Sequence, residues 1–319
     1  MPRSSLFRSM VKPKFSYGGQ ALIEGVMMRG QHHVAIAVRR PDGDITVNAQ
    51  PLSSIYTGRW RQRPLSRGII MLAETFTLGI RALLYSAKMA IGEEEDMPKG
   101  AAAGAVAVAL IFAVGLFFVL PYLLGRFLVP QSASTMVIHL IEGGFRLGVF
   151  VAYLLLVGQW SEVARVFAYH GAEHKVVNAQ EAGAALEPDS VRPFSTAHKR
   201  CGTSFVLLVL VIAIPIFALF GKPPIWAALP MRLVVLPLIA AASYEIIRLG
   251  GIYPHHPLVR MVLAPGMVIQ AMTTRQPDDG QIEVAVAAMK GVLNAEAGVP
   301  ETPLPEPDVI PEETPQPGG

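Results

Sequence analysis

Two histidines stand four residues apart in "YHGAEHKVVNAQ", residues 169–180, and Glu173 immediately precedes the second. On a helix, residues i and i+4 share one face, about 6 Å apart along the axis, so His170 and His174 can reach one ion. Glu173 follows His170 by three residues and lies on nearly the same side. The order His-x-x-Glu-His is that of the inverted zinc peptidases, where the histidines hold zinc and the glutamate acts as general base. A second pair, His198 and Cys201, follows in "TAHKRCGTSF". The segment 161–201 thus holds three of the eight histidines and the only cysteine.

These residues predict a divalent metal, zinc by donor type, on His170, His174, His198 and Cys201, with Glu173 as the catalytic base of a hydrolase. Two outcomes differ in chemistry. Four protein ligands close a tetrahedral shell and make the site structural, whereas three leave a position open. The spacing does not choose between them. Lys175, Asn178 and Arg200 flank the cluster as secondary candidates that could orient ligands or polarise a substrate. Glu24 is another, because Gly18, Gly19 and Gly25 around it permit close backbone approach. Arg29 follows it in the same segment. Glu245 and Arg248 complete the set, one turn apart near the end of an apolar helix. No G-x-x-x-x-G-K-[ST] phosphate loop is present.

The elements that must position these groups are membrane helices. Of 319 residues, 52% are hydrophobic and 16% charged, with mean hydropathy +0.42. A typical soluble domain carries about 25% charged residues. The apolar residues are concentrated in long runs, which predicts a mainly α, polytopic helical membrane protein with about four transmembrane helices in 100–250. Ala101–Leu120 and Gly202–Phe220 are uncharged and of spanning length. Leu147–Ser161 is too short unless extended back through Glu142 and Arg146, which can pair at i, i+4. The run from Pro230 to Leu249 contains Arg232, Glu245 and Arg248, and both arginines can snorkel toward an interface.

Charge sets the orientation. Residues 1–100 carry 14 Lys+Arg, 161–201 carry 5 and 248–319 carry 4, against 2 each in 121–146 and 221–232. Both termini and the 161–201 loop are therefore expected in the cytoplasm. The same flanking cations account for the net charge of +3 without sequence-specific nucleic-acid binding. The lone Cys201 excludes an intrachain disulfide and fits a reducing compartment.

Ahead of the spans, 15–99 reads as a small cytoplasmic α+β region behind a basic tail, 1–14. Within it, HVAIAVRRPDGDITVNA gives two strands joined at Pro41-Asp42-Gly43. An apolar helix over 64–91 is expected to lie in the interface or dip into the bilayer. As a fifth span, it would invert everything after it. Helices are expected over 251–297, and the Pro- and acid-rich tail 298–319 is expected to be disordered.

The segments YGGQALIEGVMMRG, HGAEHKVVNA, HKRCGTSF, SYEIIR and TTRQPDDGQIEVAVAAMK together resemble the YqhQ-like family of bacterial membrane proteins, labelled predicted metal-dependent enzymes. The resemblance runs from about Tyr17 to Leu293. It implies a location in the bacterial cytoplasmic (inner) membrane. It also implies functional positions at His170, Glu173, His174, His198 and Cys201, with Glu24 and Glu245 secondary. Where the family pattern has a proline after the second motif's histidine, this chain has Lys199. Where it has a tyrosine before the glutamate that follows the asparagine, this chain has Gln180. Neither is a ligand.

Two functions are consistent with these observations. One is a metal-dependent hydrolase facing the cytoplasm. The other is a non-enzymatic scaffold with a structural zinc, serving membrane-protein biogenesis or a ribosome at the bilayer. A transporter fits less well, because the spans show no repeat.

Overall fold

Four short strands build an N-terminal sheet. The computed structural model describes residues 15–92, 100–130, 132–253 and 256–298. The two tails and the acidic run 93–96 lie outside the described residues. Strands β1 (Gly18–Leu22), β2 (Gly25–Arg29), β3 (His33–Arg39) and β4 (Ile45–Pro51) form an antiparallel meander in that order. The Pro41-Asp42-Gly43 turn is where the sequence predicts it, with Gly43 at φ 95°. Ile23 and Glu24 turn β1 into β2, and Glu24 takes φ 51° to do so, the left-handed geometry that tight hairpins require.

Successive residues of a strand face opposite ways, and here both faces are covered. Val26, Met28, Ala35 and Ala37 pack with helices α4 (Ser161–Ala182) and α8 (Asp279–Glu296), through Tyr169, Ala172, Val176, Ala285 and Met289. Leu22, Met27 and Val34 pack on Ala82 of α1 (Ser66–Ile91). Helix α8 starts on a capping box between Asp278 and Gln281, which satisfies two of its first backbone N–H groups.

The remaining helices are α2 (Ala101–Leu128), α3 (Thr135–Val157), α5 (Gly202–Leu219), α6 (Ile225–Ile252) and α7 (Pro257–Thr273). Among the described residues, five helices are long and apolar enough to cross a membrane: α1, α2, α3, α5 and α6. That is one more than the sequence reading expected, the addition being α1. No residue of α2's most apolar window is buried in the protein, although the helix is apolar all round. Exposed apolar surface of that extent suits lipid rather than water, and the fold is compatible with a multi-pass membrane protein.

Three boundaries differ from expectation. Helix α2 continues past Pro121 through a π-helical turn at Gly115–Val119. Proline cannot donate to the carbonyl four residues back. That group, Phe117 O, instead accepts from Arg146 Nε at 3.1 Å. The second span ends at Val157 rather than Ser161, where the histidine helix begins. The chain breaks at Gly158–Trp160, where Trp160 is extended and Arg275 donates to Gly158 O. Finally, Arg232 does not snorkel. It is 1% exposed and donates to Glu142 Oε2 at 2.7 Å.

Helix α1 is gripped at both ends. Arg67 pairs with Glu245 of α6, and Gly68 sits directly against Ala241. Further along, Gly79 sits against Gln20, and Ser86 accepts from Ile23 N at 3.3 Å. One half rests on the last turns of α6 and the other on the sheet.

Candidate metal centre

Helix α4 presents His170 and His174 one turn apart, with ring centres 4.4 Å from each other. Each ring is anchored through Nδ1. His170 Nδ1–H donates to Thr273 O at 2.8 Å, and His174 Nδ1–H donates to Thr196 O at 2.6 Å. A backbone carbonyl on Nδ1 fixes the tautomer and leaves Nε2 as the ligating nitrogen. Both Nε2 atoms face Cys201, the residue that caps the start of α5. Cys201 Sγ lies 3.3 Å from His170 Nε2 and 2.9 Å from Thr203 Oγ1. One ligand atom from each of His170, His174 and Cys201 falls within 4.8 Å of the other two.

The charge states follow from this proximity. Burial opposes protonation of His170, but the hydrogen bond and charge of Cys201 outweigh it and lift the ring to about 9. His174 is raised in the same way, against burial, by Cys201 and Glu173. Burial opposes ionisation of Cys201, yet the two histidines bring the thiol down to about 4. At neutral pH the unligated cluster is a thiolate facing protonated imidazole.

Its supports come from four elements. Lys175 Nζ donates to Arg192 O and Phe194 O, at 2.7 and 2.6 Å, and Asn178 Nδ2 to Ser195 O and Ala197 O, at 2.9 and 3.1 Å. Gln270 of α7 brackets His198, accepting from its N–H at 2.9 Å and donating to its carbonyl at 2.8 Å. The loop that delivers Cys201 is thereby tied to α4 and α7. Gly171 admits the chain after α7, since a Cβ there would fall 2.0 Å from Arg275 O. Strand β1 closes another side, because a Cβ on Gly19 would fall 2.7 Å from Glu173 Cγ. Glu173 is buried, with Oε2 3.4 Å from His174 Nε2.

The structure brings together three of the four expected ligands. His198 lies beside the cluster, its ring centre 5.7 Å from that of His174, but its Nε2 is 3.6 Å from Glu181 Oε2, and Arg200 pairs with the same carboxylate. Lys175, Asn178 and Arg200 are close to the cluster, the first two as staples of its loop. The other secondary candidates are structural ties outside it. Glu24 binds Arg165 through both oxygens and accepts from Tyr169 at 3.2 Å. Arg165 holds its carboxyl below the usual range. Arg29 pairs with Glu74 of α1 at 2.9 Å. Glu245 pairs with Arg67 rather than Arg248, which is exposed. Sequence reasoning missed Gln270, Thr273, Thr196 and Thr203. Only Gln270 leaves a trace there, as the lone amide in the apolar run of α7.

The donor set suits zinc: two neutral imidazoles and a thiolate. Ligand atoms around a tetrahedral zinc sit roughly 3.3–3.8 Å apart by its bond lengths, the separation already present between Cys201 and His170.

Residues 63–295 match a family described as "Protein of unknown function (DUF1385)". The "Uncharacterized protein YqhQ" of Bacillus subtilis (strain 168) is 29% identical over 310 residues, covering 92% of this chain and 98% of that one. No solved structure matches.

Proposed function

The chain belongs to the DUF1385 family, and from that premise we propose that it is a multi-pass protein of the bacterial cytoplasmic membrane holding a divalent metal, zinc, at a cytoplasm-facing hydrolytic site. One observation carries the reading. His170, His174 and Cys201 converge with both Nδ1 atoms tied to backbone carbonyls, while His198 is engaged by Glu181. Three protein ligands with a fourth position open is the catalytic pattern; a closed shell is the structural one.

When bound, the ion would supply a Lewis acid able to polarise a carbonyl or phosphoryl oxygen. The protein does the rest. Thr273 and Thr196 hold the two rings in one tautomer. Cys201 contributes a thiolate at the start of α5, where backbone N–H groups favour negative charge. Glu173 Oε2 lies 3.4 Å from His174 Nε2, so its carboxylate can take a proton beside the ligand cluster.

The membrane topology rests on parity. The sheet, α4 and α8 pack as one unit. Between the sheet and α4 the chain passes through α1, α2 and α3; between α4 and α8 it passes through α5, α6 and α7. Segments in contact share a side, so an even number of crossings separates them. Helices α2 with α3 and α5 with α6 supply two each. Helix α1 then lies at the interface, and α7, of 17 residues, is short for a span. The excess of Lys and Arg on the packed unit's side makes that side cytoplasmic.

The test is metal content in the purified full-length chain. One zinc per chain is expected, retained in His198→Ala and lost in His170→Ala and Cys201→Ser. Cobalt spectroscopy reporting a water-free three-histidine, one-cysteine shell would end the catalytic reading. Metal-free protein at ambient zinc would end both.

A further inference from the structure

The other end of the bundle holds a second polar cluster. Helix α5, 18 residues long, spans about 27 Å at 1.5 Å per residue, and this cluster lies near its far end from Cys201. Arg146 and Arg232 are 2% and 1% exposed, and both bind Glu142, itself 3% exposed. Arg146 Nη2 donates to Oε1 at 2.6 Å and Arg232 Nη2 to Oε2 at 2.7 Å. His139 Nδ1 is 3.5 Å from Oε2, while its Nε2–H donates to Gly221 O at 2.9 Å.

The charges do not balance. Two guanidiniums share one carboxylate, and the imidazole is spent on a carbonyl. Arg232 Nε and Nη1 and the Tyr122 hydroxyl are buried with no hydrogen-bond partner among the described residues. The Tyr122 and Phe217 rings lie 4.6 and 5.1 Å from the Arg232 guanidinium carbon, which softens the cost of its burial. Rings do not satisfy the in-plane N–H groups. Buried donors without acceptors and an unmatched buried cation are both strongly unfavourable. Two guanidiniums on one carboxylate leave one net positive charge, and buried ionisable groups within an apolar bundle mark functional sites.

A small cleft meets these groups and is lined by Tyr122, Arg126, His139, Glu142, Lys222 and Arg232. Its lining adds two further cations. The geometry points to an oxyanion site, in which Arg232 N–H groups left over by Glu142 and the Tyr122 hydroxyl donate to the oxygens of a phosphate group. Hydrogen bonds from a guanidinium to phosphate are charge-assisted and strong. Around the site Phe127, Leu219 and Trp226 are 78%, 85% and 77% exposed. Apolar surface beside an anion site favours a ligand with both features, the phosphate of an anionic phospholipid. Free inorganic phosphate shares the head chemistry but not the tails.

The experiment uses the full-length chain in nanodiscs of phosphatidylcholine with phosphatidylglycerol, followed by native mass spectrometry of retained lipid. Phosphatidylglycerol should be retained at least tenfold over phosphatidylcholine. Arg232→Lys keeps a cation beside Glu142 but lacks the remaining guanidinium N–H donors, and should abolish the preference. Tyr122→Phe, which removes one hydroxyl, should reduce it severalfold and decides the matter if the lysine variant does not fold. In a parallel arm, inorganic phosphate is titrated in lipid-free detergent with thermal unfolding as readout. A saturable rise lost in the variants, without lipid preference, assigns the site to free phosphate. Equal retention of both lipids with no phosphate response overturns the proposal, as does a preference unchanged in both variants.

Discussion

Cys201 Sγ lies 3.3 Å from His170 Nε2, although 31 residues separate them in the chain. The sulfur sits at the start of the apolar helix α5 and the imidazole on α4, which packs with the sheet. The site therefore forms only when the end of the bundle and the sheet-bearing unit are docked. Its properties should report that docking.

Metal uptake should release protons. Without metal, His170 titrates near 9 and Cys201 near 4, so at neutral pH the metal displaces a proton from His170 but none from the thiolate. Apparent affinity should rise about tenfold per pH unit through neutrality and level off above about 9. Calorimetry in buffers of different ionisation enthalpy should give at least one proton released per ion. A pH-independent affinity would contradict the charge states derived above.

Glu173→Gln should retain the metal and lose at least 100-fold in hydrolysis of whichever ester, peptide or phosphoester substrate the native protein turns over, in the range for loss of a general base. Retained turnover with bound metal would remove Glu173 from the chemistry.

Gly171→Ala should destabilise the protein by about 1–3 kcal/mol or more, the range for overpacking a filled interior. The new Cβ would meet a backbone carbonyl, Arg275 O, at 2.0 Å, and backbone cannot swing aside as a side chain can. The displaced segment carries Thr273, the anchor of His170, so metal affinity should fall as well. Thermal unfolding and zinc competition measure the two effects.

Lys175→Met should cost about 1–3 kcal/mol, because Arg192 O and Phe194 O lose their donor. Hydrogen exchange should speed up selectively over residues 183–198. Uniform exchange across the chain would show that the staple does not hold that loop.

Reporter fusions at the two termini should both report the cytoplasm, and a cysteine introduced in place of Lys222 should be labelled from outside the cell. Termini on opposite sides would mean that α1 crosses the bilayer and that the parity argument fails.

Much of this was legible in the sequence because it is local. The four-residue spacing of His170 and His174 needs only helical periodicity. The hairpin of β3 and β4 follows from its Pro-Asp-Gly turn, and the apolar runs from their length. Helix α1 was ambiguous for a local reason too, since composition alone does not distinguish a helix that crosses a bilayer from one that lies on it.

The rest depended on packing between distant elements. Spacing offered four ligands, and the fold converges three, because Gln270 and Glu181 hold His198 to one side while the Lys175 and Asn178 staples bring Cys201 in. Glu245 faced Arg248 by sequence and pairs with Arg67 by structure. Arg232 read as a snorkelling side chain at a helix end and became a buried guanidinium over Phe217. A periodicity states which face a side chain occupies; only the docking of helices decides what lies opposite that face, and the chemistry at both ends of this bundle is set by what lies opposite.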